Sequence, residues 1–86
     1  MRGRLIDVMA IGRRLADVRA DAGMSQKTFS QKSGFSISAV KNYERGARPP
    51  SAEYLAYSCL AFGVSADWLL LGNSIRAHET PEDEAA

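Results

Sequence analysis

The residues between Ser36 and Gly46 carry side chains whose chemistry suits the edges of nucleobases. If this stretch is helical, Val40 and Tyr43 lie on one face, and the opposite face holds Ile37, Ser38, Lys41, Asn42 and Arg45. A lysine ammonium can donate to guanine O6 and N7, and an asparagine amide can pair with adenine. An isoleucine can pack on a thymine methyl group, and a serine can bond to a base or a phosphate. The same residue types also occur on ordinary solvated helix faces.

Capping signals divide the chain into short helices that would position this face. We expect the helices to begin after the following N-cap residues: Asp7, Ser25, Ser36, Ser51 and Ser65. We expect them to end at the following glycines: Gly23, Gly34, Gly46, Gly63 and Gly72. No stretch gives convincing evidence of a strand, so the sequence predicts an all-α fold of five helices.

The turn between the second and third predicted helices is very short. Only Gly34, Phe35 and Ser36 separate them, and glycine reaches the positive φ that such a turn needs. We expect the apolar Phe35 to fill the gap between the two helices. Two short helices joined in this way indicate a helix-turn-helix, whose second helix fits the major groove of DNA.

From about residue 8 to residue 72 the sequence resembles the Cro and phage-repressor type of helix-turn-helix regulators. The matching residues are Ile11-Gly12-Arg13-Arg14-Leu15, Arg19, Gly23-Met24-Ser25-Gln26, Phe29, Gly34-Phe35-Ser36, Val40, Tyr43-Glu44-Arg45-Gly46, Pro49-Pro50-Ser51 and Gly63-Val64-Ser65-Ala66-Asp67-Trp68-Leu69-Leu70. The resemblance implies a compact five-helix, lambda-repressor-like domain whose partner is double-stranded DNA. Ser30 departs from the family pattern, because alanine is common there, and we expect its hydroxyl to be poorly satisfied. Ile37 stands where a polar base-reading residue is more usual, and Ala47 lacks a basic residue often seen there.

Other residues near the third helix are expected to hold the DNA backbone. They are Gln26, Lys27, Arg14, Arg45 and Arg48. Gln26 lies at the first turn of the second helix, where free N–H groups attract a phosphate, and the resemblance assigns it the same task. Its other possible role is only to continue the helix cap. The resemblance further implies a structural ion pair between Arg19 and Glu44.

The fourth predicted helix is apolar on two sides, which suggests a dimer. We expect the inward stripe to be Leu55, Cys59 and Phe62. A second stripe, nearly opposite, consists of Tyr57, Leu60 and Val64. We expect a second copy of the chain to cover it, together with Leu70 or Leu71, so that the dimer reads two half-sites ~34 Å apart. Because isolated exposed apolar residues are common, the stripe could also remain uncovered.

Length and composition argue against most other functions. A chain of 86 residues allows one domain. Cys59 is the only cysteine and His78 the only histidine, so we expect no disulfide, catalytic site, metal site or cofactor. The apolar run from Val8 to Ile11 is too short for a signal peptide or a membrane span, which makes the cytoplasm the default location.

Charge is distributed unevenly along the chain. Residues 1–72 hold ten Lys/Arg and six Asp/Glu, whereas residues 73–86 hold one Arg and four Asp/Glu. This distribution fits attraction to phosphates and an ordinary mixed surface equally well. We expect a flexible arm at residues 1–6, the DNA-binding domain at 7–72 and an acidic, disordered tail at 73–86. Arg2 and Arg4 could reach the minor groove, although a frayed terminus is the simpler expectation.

The sequence therefore predicts a homodimeric transcriptional regulator that represses by occupying promoter DNA. An alternative is an antitoxin, whose acidic tail or Tyr57/Leu60 surface would bind a toxin protein. A third possibility is a helix-turn-helix module that makes only protein contacts. Enzymatic activity is the least favoured.

Overall fold

Serine and aspartate caps set the start of every helix in the structure. The computed structural model describes residues 5–72, which form five α-helices and no strand. The helices are α1 (Val8–Asp21), α2 (Gln26–Ser33), α3 (Ile37–Glu44), α4 (Ala52–Phe62) and α5 (Ala66–Leu71). The side chains of the five predicted N-cap residues each accept a hydrogen bond from a backbone N–H in the first turn. The expected all-α fold and its helix starts are confirmed.

The turn between α2 and α3 is closed by a glycine and by a serine. Gly34 has a φ of 85°, in the left-handed region that glycine reaches without strain. The hydroxyl of Ser30 donates to the carbonyl oxygen of Phe35 at 2.7 Å. The expectation of a poorly satisfied hydroxyl at Ser30 is therefore wrong, because this serine ties the last turn of α2 to the loop that leads into α3.

All five helices contribute to one hydrophobic core. Its buried members are Ile11, Leu15, Phe29, Val40, Tyr54 and Leu69. The ring of Tyr54 lies at the centre of an aromatic cluster, with centroids 4.6 Å from Tyr43, 4.9 Å from Phe35 and 5.7 Å from Phe29. Phe35 thus packs on α4 as well as lying between α2 and α3.

The inward face of α4 differs from the expected one by about one residue. Tyr54 and Ser58 are the buried residues of this helix, at 1% and 0% exposure. The expected inward stripe of Leu55, Cys59 and Phe62 is only half-buried and packs on the side of the core. Because α4 is apolar around most of its circumference, periodicity alone did not identify the side that faces α2 and α3.

The backbones of α1 and α3 lie unusually close together. Gly12 is buried, and a Cβ atom built on it would lie 2.5 Å from the carbonyl oxygens of both Tyr43 and Glu44. Real Cβ atoms do not approach oxygen so closely, so only glycine fits at this crossing. One side of α3 is therefore held against α1 at its last turn.

None of the helices within residues 5–72 combines the length and the apolar character needed to cross a bilayer.

The close crossing predicts that Gly12→Ala destabilises the protein although alanine is the better helix former by about 1 kcal/mol. The new methyl group meets backbone atoms, which cannot rotate away, so we expect a loss of about 1–3 kcal/mol in the free energy of unfolding. Urea denaturation measures it. Asp17→Ala, on the exposed side of the same helix, is the control and should change stability by less than about 0.5 kcal/mol. Equal stability of the two variants would show that the helices can separate without cost.

Candidate nucleic-acid interface

The outward face of α3 is open to solvent. Val40 is fully buried beneath it, whereas Ile37 is 38% exposed. Ser38, Lys41 and Arg45 are exposed, and Asn42 is half-buried at the edge of the same face. The structure thus places all the predicted base-reading side chains, together with Arg45, on one side of α3.

A groove runs between the start of α2 and the outward face of α3. It has a volume of about 490 Å³ and is lined by Ser25, Gln26, Lys27, Ile37 and Lys41. Residues predicted to contact phosphate and residues predicted to contact bases therefore line the same groove. Its two lysines come from different helices, so an anion on this surface would meet positive charge from both.

A network of hydrogen bonds fixes the end of α3 relative to α1 and α2. The guanidinium of Arg19 donates from Nε and Nη2 to the two carboxylate oxygens of Glu44, at 2.7 and 2.8 Å. Its Nη1 donates to the carbonyl oxygen of Met24 at 2.6 Å. The side chains of Arg19 and Glu44 are only 15% and 6% exposed. The hydrogen bond to Glu44 raises the pKa of Arg19 above its ordinary value.

Gln26 also belongs to this network. Its Nε2 donates to Oε1 of Glu44 at 3.0 Å, so one amide hydrogen is used inside the protein. A phosphate contact by Gln26 would therefore use its second amide hydrogen or its backbone N–H at the start of α2. The residue joins the charged network to the groove.

Arg14 is placed differently from the other predicted phosphate contacts. Its Nη1 donates to the carbonyl oxygen of Leu69 at 2.9 Å, and its guanidinium lies against Gly72 at the end of α5. A cation is stabilised at the carbonyl end of a helix. The expected phosphate contact by Arg14 stays a prediction, but this half-buried guanidinium already joins α1 to α5.

The other predicted phosphate contacts remain on the surface. Lys27, Arg45 and Arg48 are all exposed. Arg45 donates from Nη2 to Oδ1 of Asn42 at 2.8 Å. The guanidinium carbon of Arg48 lies 5.9 Å from the centroid of the Tyr43 ring. Arg45 and Arg48 follow the end of α3, whereas Lys27 lies at the start of α2.

The residues predicted for a dimer interface do not share one environment. Leu60 is 86% exposed and Leu71 is 37% exposed, whereas Val64 and Leu70 are half-buried against the core. Tyr57 belongs to the aromatic cluster, because its ring centroid lies 5.7 Å from that of Phe29. The expectation that Tyr57 points away from the core is wrong.

Two residues that pack against the inner side of α3 were not predicted from the sequence. Tyr54 is buried under α3, and burial together with the nearby charge of Glu44 raises its pKa, so the phenol stays neutral. Gly12 was recognised only as part of a motif, and its close contact with α3 was not predicted. The other buried residue on this face of α4 is the polar Ser58, so apolar periodicity did not identify Tyr54 as buried.

Some predicted elements lie outside the described residues. They are Arg2 and Arg4 in the expected arm and the expected tail at residues 73–86. Within residues 5–72, no group of three or more His, Cys, Asp or Glu is arranged to hold a metal ion.

Sequence comparison identifies relatives of this chain. Residues 10–69 match a family model described as a helix-turn-helix domain. Over 62 residues the chain is 36% identical to the HTH-type transcriptional regulator ImmR of Bacillus subtilis. The match covers 72% of this chain and 49% of ImmR, so the chain spans about half the length of that relative.

Solved structures with the same arrangement of helices agree with the sequence match. The restriction-modification controller protein C.AhdI from Aeromonas hydrophila is 32% identical, with a TM-score of 0.65 over 73% of this chain and 96% of that chain. The clp gene regulator ClgR from Corynebacterium glutamicum is 32% identical, with a TM-score of 0.65 over 90% of this chain and 84% of that chain. The DNA-binding domain of BldD from S. venezulae is 29% identical, with a TM-score of 0.64 over 73% of this chain and 94% of that chain.

The network at the end of α3 predicts that Glu44→Ala is strongly destabilising. The substitution leaves the nearly buried charge of Arg19 without its partner, and we expect a loss of about 3 kcal/mol in the free energy of unfolding. Thermal and urea denaturation measure the change. Glu53→Ala, which removes an exposed carboxylate from the first turn of α4, is the matched control and should cost at most about 1 kcal/mol.

A second variant distinguishes two causes of the lost stability, which are the unpaired charge of Arg19 and the loss of the contact itself. Adding Arg19→Met to Glu44→Ala removes the unpaired cation, so part of the lost stability should return. If the double variant were less stable than Glu44→Ala alone, the unpaired charge would not be the cause of the loss.

Proposed function

Because the chain belongs to the Cro and phage-repressor type of helix-turn-helix transcriptional regulators, we propose that it acts as a repressor that occupies promoter DNA as a dimer. The observation that carries this proposal is the exposed outer face of α3, which stands over the buried Val40. A short rigid helix of this kind fits the major groove of B-form DNA.

We assign base reading to the outward side chains of α3. They are Ile37, Ser38, Lys41 and Asn42. Lys41 donates to guanine, Asn42 pairs with adenine, and Ile37 packs on a thymine methyl group. The groove beside Ile37 supports this role, because it leaves that side chain open to contact from outside the protein.

Contacts with DNA phosphates position α3 in the major groove of the DNA without reading its sequence. We assign them to Gln26, Lys27, Arg45 and Arg48, which lie at the start of α2 and at the end of α3. Arg14 is not assigned, because its guanidinium is half-buried against Leu69 and Gly72, whereas the other cations of the set are exposed. Arg19 and Glu44 act from inside by fixing the direction of α3, since a bidentate, nearly buried pair leaves little freedom of tilt.

A dimer is proposed because one short helix reads only a few base pairs. Two copies related by a two-fold axis would read half-sites about one helical turn (~34 Å) apart, which makes the operator palindromic. Leu60 is the best candidate for the centre of the interface, since at 86% exposure it would gain more from being covered than the other residues predicted for the interface. Leu71, and the exposed edges of Val64 and Leu70, would extend the interface.

The alternative function is binding to a partner protein such as a toxin. The exposure of Leu60 favours this function as much as it favours a second copy. Purification of the chain with its native partners discriminates between the two, because a bound protein of a different mass would identify the alternative.

We predict that selection from random duplexes yields a defined palindromic site for the wild-type chain. Lys41→Ala and Asn42→Ala should each lose preference at particular base pairs, by about 1–3 kcal/mol per contact. Lys27→Ala is the matched control. It should weaken binding to all sequences and reduce the slope of log K against log salt by about 1. If all three variants weakened binding to every sequence alike, Lys41 and Asn42 would contact only phosphates.

We predict that Leu60→Asp converts the dimer to a monomer, because a carboxylate cannot be buried in an apolar interface. Sedimentation measures the mass, and operator affinity should fall with it. Ala52→Asp introduces the same charge at an exposed position at the other end of α4 and should leave the dimer intact. A Leu60→Asp chain that still sediments as a dimer would place the interface elsewhere.

A further inference from the structure

Two of the residues on the outward face of α3 are hydrogen-bonded to each other. Nη2 of Arg45 donates to Oδ1 of Asn42 at 2.8 Å, across one turn of helix. No hydrogen bond from Nδ2 of Asn42 is found within residues 5–72. The acceptor end of this amide is engaged, and its donor end is available to a ligand.

The chemistry of arginine determines which end of the amide faces it. A guanidinium carries five N–H donors and no acceptor, so it can bind only the oxygen of an amide. Asn42 without such a partner could turn its amide by 180° and exchange donor and acceptor at little cost. The guanidinium of Arg45 therefore selects one of two orientations that are otherwise nearly equivalent.

We propose that Arg45 is a specificity-determining positioning residue, which fixes the amide of Asn42 so that its N–H group meets an acceptor on a base edge. The proposal rests on the proposed function. With the amide fixed, Nδ2 can donate to a base acceptor such as purine N7, while the second lone pair of Oδ1 can still accept from adenine N6. An amide free to turn would offer either group to the same base and would discriminate less.

The neighbouring cations do not share this arrangement. Arg48 lies over the ring of Tyr43, and Lys41 makes no hydrogen bond through its ammonium within the described part of the chain. Arg45 has donors left after binding Asn42, so it can bind a phosphate at the same time. Arg45 would then contact a phosphate of the DNA while it holds the amide that reads a base. A residue that binds only phosphate has no such effect on base reading.

The first test measures the amide in the free protein, where the proposed function plays no part. In the full chain labelled with ¹⁵N, relaxation of the Asn42 side-chain NH₂ group should show greater mobility in Arg45→Ala than in wild type. Arg48→Ala is the matched control and should leave this group unchanged. Equal mobility of the Asn42 amide in wild type and Arg45→Ala would overturn the proposal.

The second test measures base preference on the selected operator. Arg45→Ala should reduce discrimination on the order of tenfold at the base pair that Asn42→Ala identifies, and should leave the other positions unaltered. Arg48→Ala should weaken all sequences alike. In the Asn42→Ala background, Arg45→Ala should cause no further change in base preference, because its effect passes through Asn42.

The outcomes separate the two levels of inference. If wild type selects no sequence, the proposed function fails, and the NMR result still decides whether Arg45 holds the amide. If wild type selects a site and Arg45→Ala only weakens binding uniformly, the proposed function stands and the positioning role of Arg45 is overturned.

Discussion

The contact between α1 and the last turn of α3 is the constraint on which the rest of the structure depends. It is made by two features about two helical turns apart on α1. Gly12 lets the backbone of α1 reach the carbonyl oxygens of Tyr43 and Glu44, and Arg19 then binds the carboxylate of Glu44 with two hydrogen bonds. A steric fit sets the distance between the helices, and an ion pair sets their rotation. With its inner side fixed in this way, α3 can leave its outer side open to solvent.

The arginines of the described chain differ in burial, and their burial determines what they can bind. Arg19 and Arg14 bind carboxylate or carbonyl oxygens inside the fold, whereas Arg45 and Arg48 are exposed at the end of α3. A planar guanidinium serves both purposes, because it satisfies several acceptors when it is enclosed and binds phosphate when it is not. The formal net charge of +1 therefore does not describe the positive charge that a polyanion would meet. The local arrangement of Lys27, Lys41 and the exposed arginines is the relevant quantity.

Much of the fold follows from local signals, and the exceptions have a common physical origin. The N-caps of the five described helices were predictable because a serine or aspartate side chain acts within its own first turn. The outward face of α3 was predictable because Val40 fixes its inner side. The burial of Tyr54 and the identity of the group that Arg14 binds were not predictable, since each depends on residues far away in sequence. Leu69, which binds Arg14, is 55 residues distant. Nothing local distinguishes Arg14 from the exposed Arg13.

The proposed DNA surface and the proposed dimer surface lie on different helices, and α1 connects them. It packs against α3 on one side and against α4 and α5 on others. The connection from α3 to α4 contains Pro49 and Pro50, which restrict the backbone further. In a dimer centred on Leu60, the separation of the two recognition helices would therefore be set by packing through the core. Such a dimer would tolerate little change in half-site spacing, because the spacing within each copy could vary only if the helices of the core moved against one another.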